Sequence, residues 1–494
     1  MPTRYKQAMK TALLLLALFS PFLAPAQVHL GPGQTYNNIQ AAASSNAIQP
    51  GDTVFLHAGA YAGYQGVTNL QGNAAAWIVV MPFQNDAITI SGTWQFISCA
   101  YLKFQDLTFA GTPSQPGRLF SVDNGGSCET QSKFIVVDGC SFANTTDASA
   151  IAAFKFGGVD SFEVRNNLFE NILVCSAMDY NVCRNGLIAD NRFENCLTAG
   201  HIKGGASNIT MTRNLFINAS AAPWVAFELG GDTGAQFYCE GDNYEVKNLK
   251  FYANIIVGGY RGLALSSARD CEVVNNTFYN CGQATMRFLT TSALYPTLSG
   301  NKVENNIFAF GASAYFNGGT QPASAAMFSN NLYFSILEPN FNGPYWDTPA
   351  LDAIKDPNPL NYGSGSPMFV DGPNQDFHLA TGSPAIGNGK TVTEPAFDFF
   401  GLPFSPTMRS IGAAEATTNV GVQERPFESV RVFPNPVVDY LKVQGSPFIT
   451  AEVFNAAGLK LFEHRADAPI PVFDLPPGCY FLKIGDRILP FLKL

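Results

Sequence analysis

Asn-x-Phe recurs along the middle of the chain at a spacing that an ordinary globular core does not require. It stands at Asn167-Leu168-Phe169, Asn191-Arg192-Phe193, Asn214-Leu215-Phe216, Asn276-Thr277-Phe278 and Asn306-Ile307-Phe308. Looser copies are Asn254-Ile255-Ile256 and Asn331-Leu332-Tyr333, and the ends of Leu107-Thr108-Phe109 and Cys140-Ser141-Phe142 read as earlier, degenerate members. From Phe169 onward the third positions lie 24, 23, 40, 22, 30 and 25 residues apart. A base period near 23 with long insertions is the mark of a solenoid, in which each unit makes one circuit and stacks on the last. Segments between the turns alternate, as in Phe162-Glu163-Val164 and Ile209-Thr210-Met211, and none sustains a helical period, so the circuits are built of strands. A leucine-rich repeat of similar length would show Leu at fixed spacing, which is absent. Strands of successive coils then lie ~4.8 Å apart, with the Phe side chains in a ladder inside and the Asn amides hydrogen-bonded along a corner. These Asn are turn formers and receive no chemistry, and the same holds for sequons such as Asn208-Ile209-Thr210.

Composition fits that frame. A chain of 494 residues exceeds one ordinary core. Only 14% of its residues are charged, where roughly 25% is usual, and 45 Gly and 41 Phe help fill the gap. The net charge of −9 argues against nucleic acid and anionic membranes as partners, since both call for basic patches. Acidic polymers stay open, because a few local Lys and Arg residues outweigh a weak global field.

Arg4, Lys6 and Lys10, the apolar run Ala12 to Phe19 and the small residues Ala24-Pro25-Ala26 read as a signal peptide ending before Gln27. No later stretch reaches the ~20 apolar residues of a membrane span. Ten cysteines in an exported chain make disulfides a candidate, with Cys175 and Cys183 placed for a local bridge. Cys196 and Cys281 lie several coils apart, beyond the ~7 Å Cα limit. No C-x-x-C pair suggests a structural zinc.

Several phrases carry a family resemblance. Ile39-Gln40-Ala41-Ala42, Gln49-Pro50-Gly51-Asp52-Thr53-Val54-Phe55-Leu56 and Gly59-Ala60-Tyr61 resemble the first turn of secreted right-handed β-helix proteins, a group that includes chondroitinase-B-like and alginate lyases. Asn38 to Ala47 would then be the helix capping the open end. Tyr101 to Phe109 is similar to the second-coil phrase of that group. His201-Ile202-Lys203-Gly204-Gly205, Glu228 to Gly234 and Tyr244 to Asn248 resemble one β-helix subfamily. Phe377-His378-Leu379, Gly382 to Ile386 and Arg409 to Ala413 resemble the closing segment of extracellular β-helix proteins. The tail differs. Phe433-Pro434-Asn435-Pro436, Asn455-Ala456-Ala457-Gly458, Leu475 to Tyr480 and the final Lys493-Leu494 together resemble the C-terminal sorting domain read by the type IX secretion system. The resemblance implies passage across the outer membrane, with release or attachment at the cell surface. The expected fold is all-β: a right-handed single-stranded parallel β-helix followed by a small C-terminal β-sandwich. The expected boundaries are 1–26 for the signal peptide, 27–335 for the β-helix with its cap, 336–415 for its closing segment, 416–428 for a linker and 429–494 for the sorting domain. The mature protein is expected to act as a monomer.

Counting back ten residues from each repeat Asn superposes Phe154-Lys155-Phe156-Gly157, Met178-Asp179-Tyr180-Asn181, His201-Ile202-Lys203-Gly204 and Leu263-Ala264-Leu265-Ser266. Looser matches add Phe227-Glu228-Leu229-Gly230 and Met286-Arg287-Phe288. The central column of Lys155, Asp179, Ile202, Glu228, Ala264 and Arg287 should face solvent. His201 and Lys203 break the pattern, and burying both would cost several kcal/mol. A one-residue slip or bulge that turns them outward is cheaper. The face would then carry Lys155, Asp179, His201, Lys203, Glu228 and Arg287 on adjacent coils.

Such a row suits an extended extracellular polysaccharide. For β-elimination on a uronate, Lys203 or His201 would be the base at C5, while Arg287 or the substrate-binding Lys155 neutralises charge. Inverting hydrolysis through Asp179 and Glu228, whose backbones should lie about 9.6 Å apart, is a second reading. A surface glycan-binding protein without chemistry is a third. Asp232, Glu240, Asp242 and Glu245 are weak candidates for calcium, with solvated loop acids the plainer reading. The resembled lyases use a carboxylate-held calcium with a Lys and an Arg, and those positions do not align here.

Overall fold

The computed structural model describes residues 27–416 and 431–493, apart from 85, 113–117, 146–151, 312–314, 319–324, 339–340, 342–344, 347–355, 357–359, 365–367, 434, 436, 445–449, 456–458, 466–468 and 485–486. The signal peptide and nearly all of the linker read from the sequence lie outside the described residues.

Among the described residues, three parallel sheets of fourteen, eleven and twelve strands run along the chain's repeat. The first begins at Gln27–Leu30, the second at Gln65–Thr68 and the third at Gly59–Tyr61. In each sheet nearly every strand pairs with its counterparts one coil earlier and one coil later, as a solenoid requires. The short helix Ile39–Ser44 buries Ile39 and Ala42 at the first coils. Asn38 caps it by accepting from the Ala41 N–H at 2.9 Å.

The third sheet holds the repeated tripeptide, and its two recurring positions do different work. Phe109, Phe142, Phe169, Phe193 and Phe216 stack face to face with centroids 4.8–5.0 Å apart. Phe278, Phe308 and Tyr333 resume the stack after Ile256. All of these rings are buried, each contributing about 2–3 kcal/mol by leaving water. The Asn side chains form a second ladder at the corner. Asn167 Nδ2 donates to Asn191 Oδ1, and the pattern repeats through Asn214, Asn254, Asn276, Asn306 and Asn331 at 2.9–3.1 Å. Each acceptor oxygen also takes the backbone N–H of the Asn before it. The remaining amide hydrogen goes to a backbone carbonyl of the preceding coil, from Val137 to Val303. Asp356 ends the column, accepting from Asn331 N and Nδ2 at 2.9 and 3.0 Å.

The middle position of the tripeptide points outward and records what covers it. Arg192 is exposed, whereas Ile255, Ile307 and Leu332 pack against Phe369, Phe377, Leu379 and Ile411 of the closing segment. Hydrogen bonds fix that segment: Asn275 Nδ2 donates to Ser410 O and Gly412 O, and Arg409 Nε donates to Asn275 Oδ1 at 2.7 Å. The tail forms separate antiparallel sheets around Val437, Leu441, Val453, Ile470, Leu482 and Phe491.

The expected Cys175–Cys183 bridge does not form, and both are buried thiols. They flank the extended strand Ser176–Asn181, whose six residues span ~20 Å, far beyond disulfide reach. Among the described residues a disulfide instead joins Cys128 to Cys239, 111 residues apart, with a Cα separation of 5.8 Å.

Candidate functional site

The second sheet brings the predicted row together. Its register aligns Ser121, Lys155, Asp179, His201, Glu228, Ala264 and Arg287 on consecutive strands. Counting from the repeat Asn misplaced one coil by a residue: His201, not Ile202, occupies the column, and Ile202 is buried. Gly204 and Gly205, both at positive φ, absorb the extra residue at the corner. Lys203 consequently also points outward, in register with Asn181 and lying along Gly231.

Asp179 is the electrostatic centre of the row. Its side chain is 1% exposed, with Lys155 Nζ 3.4 Å from Oδ2 and His201 Nε2 2.8 Å from Oδ1. The two atoms are within contact distance, although the His201 ring N–H does not aim squarely along the line between them. Asn181 Nδ2 donates to Oδ1 at 2.8 Å. Burial works to raise the Asp179 pKa, but contact with His201 and the charges of Lys155 and Lys203 outweigh it and hold the carboxyl below its ordinary range. Asp179 is therefore an anion at neutral pH. Two strands on, Glu228 accepts from Ser266 Oγ at 2.5 Å. Arg287 lies beyond the small side chain of Ala264.

Corner loops wall the row on both sides. On the side toward the first sheet, the insertion between Gly230 and Val246 is locked in place. Glu245 is fully buried and accepts from Gly204 N, Thr233 N, Thr233 Oγ1 and Tyr238 OH at 2.5–3.0 Å. Asp242 accepts a two-pronged bond from Arg184 at 2.7 and 2.8 Å, and Asp232 accepts from Ala293 N. The Cys128–Cys239 disulfide pins the same loop. Three of the four acids read as calcium candidates thus organise a loop, and Glu240 is exposed. Among the described residues no group of three or more His, Cys, Asp or Glu side chains is arranged to hold a metal ion. Spacing along the chain revealed that acids cluster there, but not that backbone N–H groups and an Arg already satisfy them. The opposite wall carries Trp224, Tyr260 and Arg261, which the sequence reading passed over; the only signal was an Ala-Ala-Pro-Trp turn inside a long insertion.

A further concavity lies away from the row. A groove of about 540 Å³ runs between the first sheet and residues 390–394, lined by Lys250, Tyr252, Glu272, Lys302, Glu304 and Lys390. Its charges cancel in pairs: Lys302–Glu272 at 2.8 Å, Lys390–Glu304 at 2.7 Å and Lys250–Glu394. It is a seam that docks the closing segment, and its charge is spent internally.

No curated protein matches the chain in sequence. Among solved structures the chain is similar to XylC in complex with xylose, at 10% identity and a TM-score of 0.45, covering 70% of this chain and 87% of that one. It is similar to pectate lyase Pel9A at 10% identity and 0.43, covering 80% and 98%. It is also similar to the A-module of the mannuronan C-5 epimerase AlgE6 of Azotobacter vinelandii, at 13% and 0.38, covering 66% and 93%. Residues 431–489 match the family model described as a secretion system C-terminal sorting domain, so the protein carries an address for export across the outer membrane, to the cell surface or the extracellular space.

Proposed function

We propose that the second-sheet row is the glycan-facing surface of an exported carbohydrate-active β-helix, and that β-elimination on a uronate-containing polysaccharide is the reaction its side chains suit best. The observation that carries this reading is the His201–Asp179 pair, set in a walled row beside Lys203 and Lys155. An ionised, buried Asp179 beside Nε2 favours the tautomer that leaves His201 Nδ1 as proton acceptor. That nitrogen takes the C5 proton, the C4–O bond breaks, and an unsaturated uronate forms as the leaving oxygen is protonated from solvent. Lys203, two residues along the same strand, neutralises the carboxylate at the reacting unit. Arg287 stands three strands from His201, about 14 Å by strand spacing, so it serves a neighbouring unit of the polymer. Inverting hydrolysis would require Glu228 as the acid and Asp179 as the base, since Asp179, held ionised, has no proton to give at neutral pH.

A second reading, a surface glycan binder without chemistry, is favoured by the internal pairing of Asp179 with Lys155, which leaves less charge for a transition state. An ultraviolet assay for unsaturated product on alginate, pectate and chondroitin separates the two. Product formation that disappears in His201→Ala supports elimination. Retained binding without product supports the second reading, and the absence of both sinks the glycan proposal. Lys203→Ala and Glu228→Ala are expected to weaken binding or turnover while the melting temperature stays nearly unchanged.

A further inference from the structure

The wall opposite the disulfide-pinned loop lengthens beside the strand that carries Glu228. The corner joining the third sheet to the second runs over residues 195–197 before Thr198–Lys203 and over 258–260 before Arg261–Ser266. Between them, before Phe227–Gly230, it runs over 218–226. The added residues project beside the strand that carries Glu228, and at their tip Trp224 is 49% exposed although Val225 and Ala226 next to it are buried.

The outgrowth is firmly mounted. Ala221 N donates to Leu197 O at 3.0 Å and Trp224 N to Ala221 O at 2.7 Å. Ser220 Oγ donates to Arg261 O at 2.8 Å, Tyr260 N donates to Ser220 O at 3.0 Å, and Ala226 N donates to Arg261 O at 2.9 Å. The Arg261 guanidinium bonds Pro223 O and Gln283 Oε1 and lies 4.8 Å over the Tyr260 ring. Backbone bonds to the coils on both sides thus hold the loop while half of the largest apolar side chain in it stays in water. Folding gains little from that half, and an exposed indole on a firmly held loop beside a row of polar side chains is the composition that recognises a sugar: C–H groups of one pyranose face lie on the ring while hydroxyls meet the polar groups.

We propose that Trp224 is a stacking platform for one pyranose unit of the glycan in the row, setting which unit lies over Glu228. This rests on the glycan reading of the row and adds to it a positioning residue outside the sheet.

The test is binding of alginate and pectate hexamers to the full chain, followed by calorimetry at low and high salt. Trp224→Ala is expected to weaken binding about tenfold, equally at both salt concentrations, because stacking is not screened. Trp224→Phe should recover most of the affinity. Lys155→Ala should lose affinity mainly at low salt. Unchanged affinity in Trp224→Ala, while Glu228→Ala binds weakly, overturns the platform and leaves the row standing. A melting temperature that falls in both Trp224 variants together with affinity makes the indole a structural member and also overturns it. Failure of the unaltered protein to bind any hexamer overturns platform and row together.

Discussion

Two columns of polar side chains run along this solenoid, and they obey opposite rules. The corner column repeats one residue, Asn, from 167 to 331; the second-sheet column reads Lys155, Asp179, His201, Glu228, Ala264, Arg287. The first is buried, and each amide donates up the ladder and accepts from below. Identical side chains can do that indefinitely because an amide is both donor and acceptor. Charged side chains cannot, since like neighbours ~4.8 Å apart repel, so the second column must vary and pair opposite signs. Sameness down a column marks a scaffold, and variation marks a surface that meets something.

The largest effect that tests this contrast should come from Asn214→Ala. It takes the acceptor from the Asn191 N–H and from one Asn191 Nδ2 hydrogen, and the side-chain donor from the Ile188 carbonyl and Asn254 Oδ1, at a cost of about 3 kcal/mol or more. Denaturant unfolding should show it, and a near-normal midpoint would mean that water replaces the ladder.

Asp398 offers a buried carboxylate governed by the reverse of the Asp179 balance. Burial pushes its pKa up to about 6, only partly offset by backbone N–H groups of Glu415 and Leu402. Its protonated form is the one folding favours, so its contribution is full below about pH 4 and is lost as pH rises through about 6, on the order of 3 kcal/mol. Asp398→Asn should lack that fall. If unfolding free energies of variant and wild type run parallel from pH 4 to 7, the carboxyl is not protonated in the folded state.

Asp179→Asn should cost about 1–2 kcal/mol at neutral pH. Because its pKa is depressed, the lost contribution is the one present above about pH 4, and the difference from wild type should shrink as pH falls below that. A gap that persists in acid would mean that packing, not charge, holds the row. The smallest effect belongs to Arg192→Ala, at the exposed middle position of the tripeptide. Its 2.9 Å pair with Glu194 is half in water and worth less than about 0.5 kcal/mol. A larger loss in thermal melts would show that this face is covered after all.

Much of the scaffold was legible in the primary structure. The tripeptide period specified coils, the alternation specified strands, and the polar breaks at His201 and Lys203 announced a slip that the register contains. The tail's ordered motifs were likewise readable, because a sorting domain is recognised as a local sequence. The walls were not. The Cys128–Cys239 disulfide spans 111 residues, the insertion acids are satisfied by Gly204, Thr233, Tyr238 and Arg184, and Trp224 stands on bonds to Leu197 and Arg261.

What the chain's own order determined is whatever repeats at a fixed interval: which side chains line up, and which face inward. What only the tertiary structure decided is everything carried by insertions, which have no period to read. Their partners lie on other coils, and whether an acid there holds an ion or a backbone amide depends on which donors the fold happens to bring within 3 Å.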